Sequence, residues 1–348
     1  MKLLILLSTL EKGGMGRAAT DLSEGLSELY QVNLAYFKES EKNSKKGQLG
    51  TLLKIPKIAH LSKFSLMIFR FAKLLRFHHK ESFNVIICSD PSSTLLALML
   101  KVFYPSIKIL STCQVPKSLL TKIDVWIISN FYNKVDSVIA PTKFIACELN
   151  DMINFQRSKV IPIALPRQST LCKWPPDPSL RRKGITFAGR LAVEKNPLFF
   201  IQMAELDPKN QYYIFGEGDL APLLKQYIAQ KSIENILLFG WKEMSFVLQS
   251  SKLLVMPSLT ESFGIVAIEA WANGVPTLVS TQARGTVENL NHKELGSICD
   301  LADGPKIWVE AAKEVCFGTI ADETLINIFD KYDLSMIALA WQNTIEEL

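Results

Sequence analysis

Short apolar runs separated by longer amphipathic stretches recur along the whole chain, and this alternation restricts the fold more than any other feature. Runs at residues 2–8, 31–37, 84–89, 108–111, 137–140 and 159–163 read as strands. The pattern stops and then restarts at 184–188, 211–215, 235–239, 252–256 and 277–280. Most of these runs are nearly continuous in apolar residues, as strands buried on both faces must be. Alternation with helical stretches such as 17–29 predicts two parallel sheets, each covered by helices on both sides. No repeat of fixed period runs through the chain.

The interruption falls at 165–180, where Pro166, Pro175, Pro176 and Pro178 break every periodicity. Proline continues neither a helix nor a central strand. The expected division is a first domain at 1–166, a linker at 167–182, a second domain at 183–330, and a C-terminal helix at 331–348 packing back toward the first domain. Two doubly wound lobes joined this way are expected to face each other across a cleft, with ligands beyond the carboxyl ends of the strands.

Several classes are excluded at this stage. The longest apolar runs, such as 95–100, fall far short of the ~18 residues that cross a bilayer. The run at 3–7 has only Lys2 before it and glycines after it, so a buried strand is expected there instead of a cleaved leader. Cys88, Cys113, Cys147, Cys172, Cys299 and Cys316 contain no C-x-x-C pair, and the 4 His residues show no metal-ligand spacing. A reducing, cytoplasmic setting is expected. The net charge of +5 is divided as +11 through Arg167 and −6 beyond it. The first half is therefore expected to face something anionic.

Four motifs follow strand ends. Gly13-Gly14-Met15-Gly16 opens a helix after the first run and reads G-x-G-x-x-A from Gly14 to Ala19, with Glu39 where a ribose-binding acid would sit. In the second half, Gly189-Arg190 is followed by Lys195, a forked cation and a point cation suited to a diphosphate. Phe215-Gly216-Glu217-Gly218 permits another close backbone approach. The fourth motif runs from Glu261 through Phe263, Gly264 and Ile265 to Glu269, with free amides expected at the start of an apolar helix. Eight helical residues would separate Glu261 and Glu269 by roughly 12 Å, too far for a glycosidase pair. The Tyr227/Lys231 spacing Y-x-x-x-K reads as coincidence on a solvated helix.

In order and spacing these motifs, with Asn273-Gly274-Val275-Pro276, resemble glycosyltransferase family 4 over nearly the whole chain. The resemblance implies the GT-B architecture of two Rossmann-like domains and retaining transfer from a nucleoside-diphosphate sugar. It implies that Arg190, Lys195 and Glu261 are catalytic, the two cations on the diphosphate and Glu261 on the donor sugar. Gly14, Gly16, Gly189, Gly216, Gly218, Phe263, Gly264, Ile265 and Glu269 would bind the donor, with Glu269 on the ribose. No D-x-D motif is present, and the expectation is a metal-independent reaction with no cofactor and a UDP-linked sugar as substrate. Two positions depart from the family. Cys113-Gln114 stands where a His is usual, and Ile163-Ala164 stands where Asn-Gly is usual.

Residues 54–80 hold seven basic side chains and no acidic one. Lys63, Arg70, Lys73 and Lys80 are expected to share one helix face, with Arg76 nearby, opposite Phe64, Met67, Ile68, Phe71, Leu74 and Leu75. This stretch is the candidate surface for an anionic membrane and a lipid-linked acceptor. Nucleic acid is not expected, because the aromatics do not interleave with the charges. The expected function is transfer of a hexose or N-acetylhexosamine to a lipid-linked or cell-surface glycan at the inner face of the cytoplasmic membrane. The alternatives are an NAD(P)-dependent oxidoreductase, resting on the first glycine turn, and a non-catalytic nucleotide-sugar or glycan-binding protein of the same fold.

Overall fold

The computed structural model describes residues 1–10, 14–39, 50–54, 63–154, 158–165, 183–315 and 320–348. Gly13, Lys57, Pro166, Cys172, Cys316 and the linker expected at 167–182 lie outside the described residues. The chain divides into two compact units, Met1–Ala164 with Leu334–Leu348, and Leu165–Asp333.

The first unit holds β1 (Lys2–Leu10), α1 (Gly14–Ser27), β2 (Gln31–Glu39), β3 (Thr51–Leu52), α2 (Lys63–Glu81), β4 (Val85–Cys88), α3 (Pro91–Phe103), β5 (Lys108–Thr112), α4 (Lys122–Phe131), β6 (Ser137–Ala140), α5 (Lys143–Ile153) and β7 (Ser158–Val160). Its strands pair in parallel in the order β3-β2-β1-β4-β5-β6-β7. β1 is central because its side chains need cover on both faces: Leu3, Leu4, Ile5, Leu6 and Leu7 are all fully buried. Leu4 and Leu6 enter one core with Phe37, Ile86 and Leu96. Leu3, Ile5 and Leu7 enter the opposite core with Ala19 and Leu26 of α1. The run at 159–163 is strand only as far as Val160, because Pro162 lacks the N–H to continue the ladder.

The second unit holds β8 (Gly184–Ala188), α6 (Pro197–Leu206), β9 (Gln211–Phe215), α7 (Ala221–Gln230), β10 (Ile236–Gly240), α8 (Met244–Ser250), β11 (Ser251–Met256), α9 (Ile265–Ala272), β12 (Thr277–Ser280), α10 (Arg284–Asn289), β13 (Gly296–Cys299), α11 (Gly304–Val315) and α12 (Asp322–Tyr332). Its strands are also parallel, in the order β10-β9-β8-β11-β12-β13. One core packs Phe187, Ile214 and Val255 against Phe200, Met203 and Trp308.

The last helix, α13 (Leu334–Glu346), belongs to the first unit. It sends Leu334, Ile337 and Trp341 into the core beneath α1. The contact is close enough that a Cβ on Gly25 would lie 3.0 Å from Leu334 Cδ1.

Asp90 ties the centre of the first sheet together. It caps α3 by accepting from Ser93 N at 2.9 Å. It also reaches back to β1, accepting from Ser8 N and Ser8 Oγ, each at 2.7 Å. Asp90→Ala removes a helix cap and two further hydrogen bonds to a charged acceptor. The expected loss is roughly 2–4 kcal/mol, read as a lowered urea midpoint. An unchanged midpoint would show that the tie contributes nothing.

Burial pushes the Asp21 carboxyl of α1 up to about 6, opposed by Arg17, whose Nε lies 3.9 Å away. A raised folded-state value means the folded chain holds its proton longer than the unfolded chain. Stability from this group is therefore complete below about pH 4, falls as pH rises to about 6, and stays low above that. Asp21→Asn should stabilise the chain at pH 7.5 but not at pH 4, which thermal melts at both pH values would reveal.

Candidate functional site

The second sheet reverses its winding between β8 and β11, with β9 and β10 on one side and β12 and β13 on the other. Loops leaving two such strands diverge and open a crevice beyond their carboxyl ends. Residues 189–196 leave β8 and residues 257–264 leave β11, so Arg190, Lys195 and Glu261 all stand at this reversal. The Lys195 ammonium forms an ion pair with the Glu261 carboxylate across it. Arg190 Nη2 donates to Glu194 Oε1 at 2.7 Å, and the Arg190 side chain is 67% exposed. The backbone repeats the bridge, because Leu259 N donates to Glu194 O at 2.8 Å. Both cations stand in the loop after β8 and are held by carboxylates.

The glycines let the loops after β8 and β9 approach backbone to backbone. Leu191 N donates to Glu217 O at 2.9 Å. A Cβ on Gly216 would fall 1.8 Å from Gly189 O, and one on Gly218 would fall 2.4 Å from Leu191 O. At these two positions glycine is needed by the protein's own packing. Gly264 has φ +76°, and a Cβ there would meet Thr286 Oγ1 at 2.0 Å.

The segment from Glu261 to Glu269 differs from the sequence expectation in one respect. Only Ile265 onward is helical, because Gly264 takes a left-handed conformation at the N-cap. The 12 Å helical separation therefore does not describe this pair. Phe263 is buried, its ring 5.8 Å from that of Tyr332, and its carbonyl accepts from Asn289 Nδ2 at 3.3 Å. Tyr332 OH in turn donates to Asn289 Oδ1 at 2.9 Å. Gly285 N donates to Glu261 O at 3.0 Å and fixes the other end of the loop. Glu269 is fully buried among Ala267, Ile268, Ala270 and Trp271. Glu194, Gly285, Asn289 and Tyr332 hold the site in shape and were not singled out from the sequence. Gly285, Asn289 and Tyr332 reach partners far along the chain, and Glu194 pairs with Arg190 four residues away. Tyr227 and Lys231 both meet Glu205, at 3.1 and 3.5 Å, as an ordinary surface cluster.

In the first unit, Gly16 is buried in α1 and its carbonyl accepts from Thr20 Oγ1 at 2.9 Å. A Cβ on Gly14 would meet nothing within 4 Å, so the described packing does not require glycine there. Cys113 is buried, and burial pushes its thiol up to about 11, which leaves it without acid–base use near neutrality. Gln114 lines a cavity with Thr112, Pro141 and Trp341, and its Oε1 and Thr112 Oγ1 have no hydrogen-bond partner among the described residues.

Helix α2 does not present the basic face expected of it. Arg70 is turned inward, its guanidinium 5.6 Å from the centre of the Phe37 ring, while Ile68 and Phe69 are exposed. The reason is the needs of the core: Met67, Phe71, Leu74, Leu75 and Phe77 all pack on it, so the helix rotates to bury them. The outer face mixes Ile68 and Phe69 with Arg76 and Lys80, and Lys73 is half-buried. Lys63 opens the helix. No helix of the described residues is long and apolar enough to cross a membrane.

Residues 12–165 match the model of Glycosyltransferase Family 4, and residues 174–315 match that of Glycosyl transferases group 1. An Escherichia coli UDP-Gal:alpha-D-GlcNAc-diphosphoundecaprenol alpha-1,3-galactosyltransferase is 35% identical over 27% of this chain and 27% of its own length. A Niallia circulans 2-deoxystreptamine N-acetyl-D-glucosaminyltransferase is 30% identical over 41% of this chain and 39% of its own. The matched stretches thus span well under half of these relatives. Among solved structures, Anabaena HepE in complex with UDP and glucose superposes over the full length of both chains with TM-score 0.81 at 16% identity. The lipopolysaccharide outer core galactosyltransferase WaaB covers 100% of this chain and 99% of its own at TM-score 0.75 and 17% identity. These matches displace the nicotinamide-dependent alternative. With both sheets doubly wound and both halves matched, the chain belongs to the family 4 glycosyltransferases of GT-B fold.

Proposed function

We propose that this glycosyltransferase moves a hexose or N-acetylhexosamine from a UDP-linked donor to a lipid-linked glycan acceptor, with retention at the anomeric carbon and without a metal ion. The observation that carries the reading is the placement of Arg190 and of the Lys195–Glu261 ion pair in the two loops at the strand-order reversal. The relatives support the substrate classes, since one uses UDP-Gal and a diphosphoundecaprenol-linked sugar and a structural neighbour binds UDP.

In the transfer, the anomeric carbon exchanges its bond to a phosphate oxygen for one to the acceptor hydroxyl oxygen, whose proton passes to the departing diphosphate. Negative charge collects on the departing diphosphate, and two cations already in place lower that barrier. Glu261 holds Lys195 in the free chain. When the diphosphate takes the ammonium, Glu261 turns to the donor sugar's hydroxyls. The first-turn amides of α9, which no side chain caps, add neutral donors. Glu269 takes the ribose, which requires the nucleotide to open a path to a fully buried side chain.

Arg190→Ala and Lys195→Ala should each lower kcat by about 100- to 1,000-fold, the loss of ~2.7–4 kcal/mol of charge stabilisation. Wild-type turnover should persist in excess chelator. Near-normal turnover in both variants would refute the clamp. Nucleotide binding by the wild type with no transfer to any acceptor would instead favour the non-catalytic alternative.

The membrane reading places the chain peripherally at the inner face of the cytoplasmic membrane. It is supported by the exposed Ile68, Phe69, Arg76 and Lys80 of α2 and by the exposed Val102 and Phe103 of the adjoining α3. Cations near an anionic leaflet add ~1 kcal/mol each, and inserted apolar side chains add a salt-resistant part. Cosedimentation with phosphatidylglycerol vesicles should fall sharply in a Phe69→Ser/Arg76→Ser/Lys80→Ser variant. Equal, negligible binding of both chains would remove the membrane from the reading.

A further inference from the structure

Arg70 is a partly buried cation with no paired anion among the described residues. Among the described residues it makes no hydrogen bond or ion pair, and its Nε is buried without a partner. Its helical neighbours three and four residues away are Leu66, Met67, Lys73 and Leu74, so the adjoining turns of α2 supply no carboxylate. Arg17, also partly buried, does have an acid within reach, Asp21 at 3.9 Å. The negative charge that acts on Arg70 is Asp90, which opposes the downward push of burial. Both Asp90 oxygens are already engaged by Ser8 and Ser93. A sheltered charge left uncompensated is unfavourable unless something else arrives to pair with it.

The position of Arg70 indicates what arrives. Its guanidinium lies over Phe37 near the carboxyl end of β2, and Asp90 follows β4, with β1 between the two strands. This is the edge of the first sheet where the winding reverses between β1 and β4, the place where ligands enter a doubly wound sheet. Exposed Lys38 follows Phe37 along β2 and adds a second cation to that edge. A planar five-donor fork matches phosphate oxygens best.

We propose that Arg70 anchors a phosphate or diphosphate group of the acceptor, an inference that rests on the lipid-linked acceptor reading. The two sources of such a group are the acceptor itself and a phospholipid headgroup. The inward turn of Arg70, away from the exposed Ile68 and Phe69, favours the acceptor.

The probe is inorganic diphosphate, added to an Arg190→Ala/Lys195→Ala chain that lacks the second-unit clamp. Diphosphate should raise the Tm of this chain, and adding Arg70→Met should weaken its binding at least tenfold. Methionine keeps an apolar stem beside Phe37, so the ligand-free Tm should stay level or rise; an arginine present for structure would lower it. Equal diphosphate binding with and without Arg70, or a lowered ligand-free Tm, overturns the proposal. In the otherwise native chain, Arg70→Met should raise KM at least tenfold for a soluble diphosphate-linked glycoside. It should leave KM for a neutral alkyl glycoside and for the donor unchanged. Lost binding to phosphatidylglycerol vesicles with an unchanged diphosphate-glycoside KM would assign the residue to headgroups and overturn the acceptor role. Absence of transfer to any acceptor would count against the transferase reading alone, because the diphosphate titration does not depend on turnover.

Discussion

The reversal of strand order in each parallel sheet is the constraint on which the rest depends. A sheet wound in one direction closes its carboxyl edge with successive loops, whereas a reversal leaves two neighbouring strands whose loops part. In the second unit those strands are β8 and β11, and the chain spends its cations and its glycines there. Gly216 and Gly218 have no room for a Cβ against the loop after β8, the loop that carries Arg190 and Lys195. The first unit repeats the arrangement between β1 and β4, where Asp90 joins the two strands and Arg70 stands beside them.

The two edges differ in how their charge is balanced. Lys195 and Arg190 each have a carboxylate, so the second unit holds its cations in place at little electrostatic expense until a stronger anion displaces the pairing. Arg70 is half-buried but has no such partner among the described residues. The first half carries +11 and the second −6, and the stretch 54–80 contains no acid.

Much of this was legible in the sequence, for physical reasons. Strands buried on both faces are nearly continuous in apolar residues, so β1 and β4 stood out, and glycine after a strand end pointed to close backbone approach. What escaped was set by tertiary contact. The orientation of α2 follows from which of its many apolar residues the core accepts, and Arg70 was read onto the wrong face because Phe, Met and Leu surround the helix. The two-residue β3 and the half-exposed β13 are edge strands with little apolar signal. The start of α9 at Ile265 depends on the left-handed Gly264, which Thr286 of α10 crowds. Asn289 and Tyr332 hold Phe263 through contacts far apart along the chain.

The central claim is that the crevice between the loops after β8 and β11 holds a nucleoside diphosphate by exchanging one ion pair for another. A crystal structure of the chain with UDP bound tests it most directly. The diphosphate is predicted beyond the carboxyl ends of β8 and β11, with Arg190 on it, the Lys195 ammonium moved from Glu261 to a phosphate oxygen, and the Glu261 carboxylate released. UDP found elsewhere, or bound there with the Lys195–Glu261 pair intact and Arg190 still on Glu194, would contradict it.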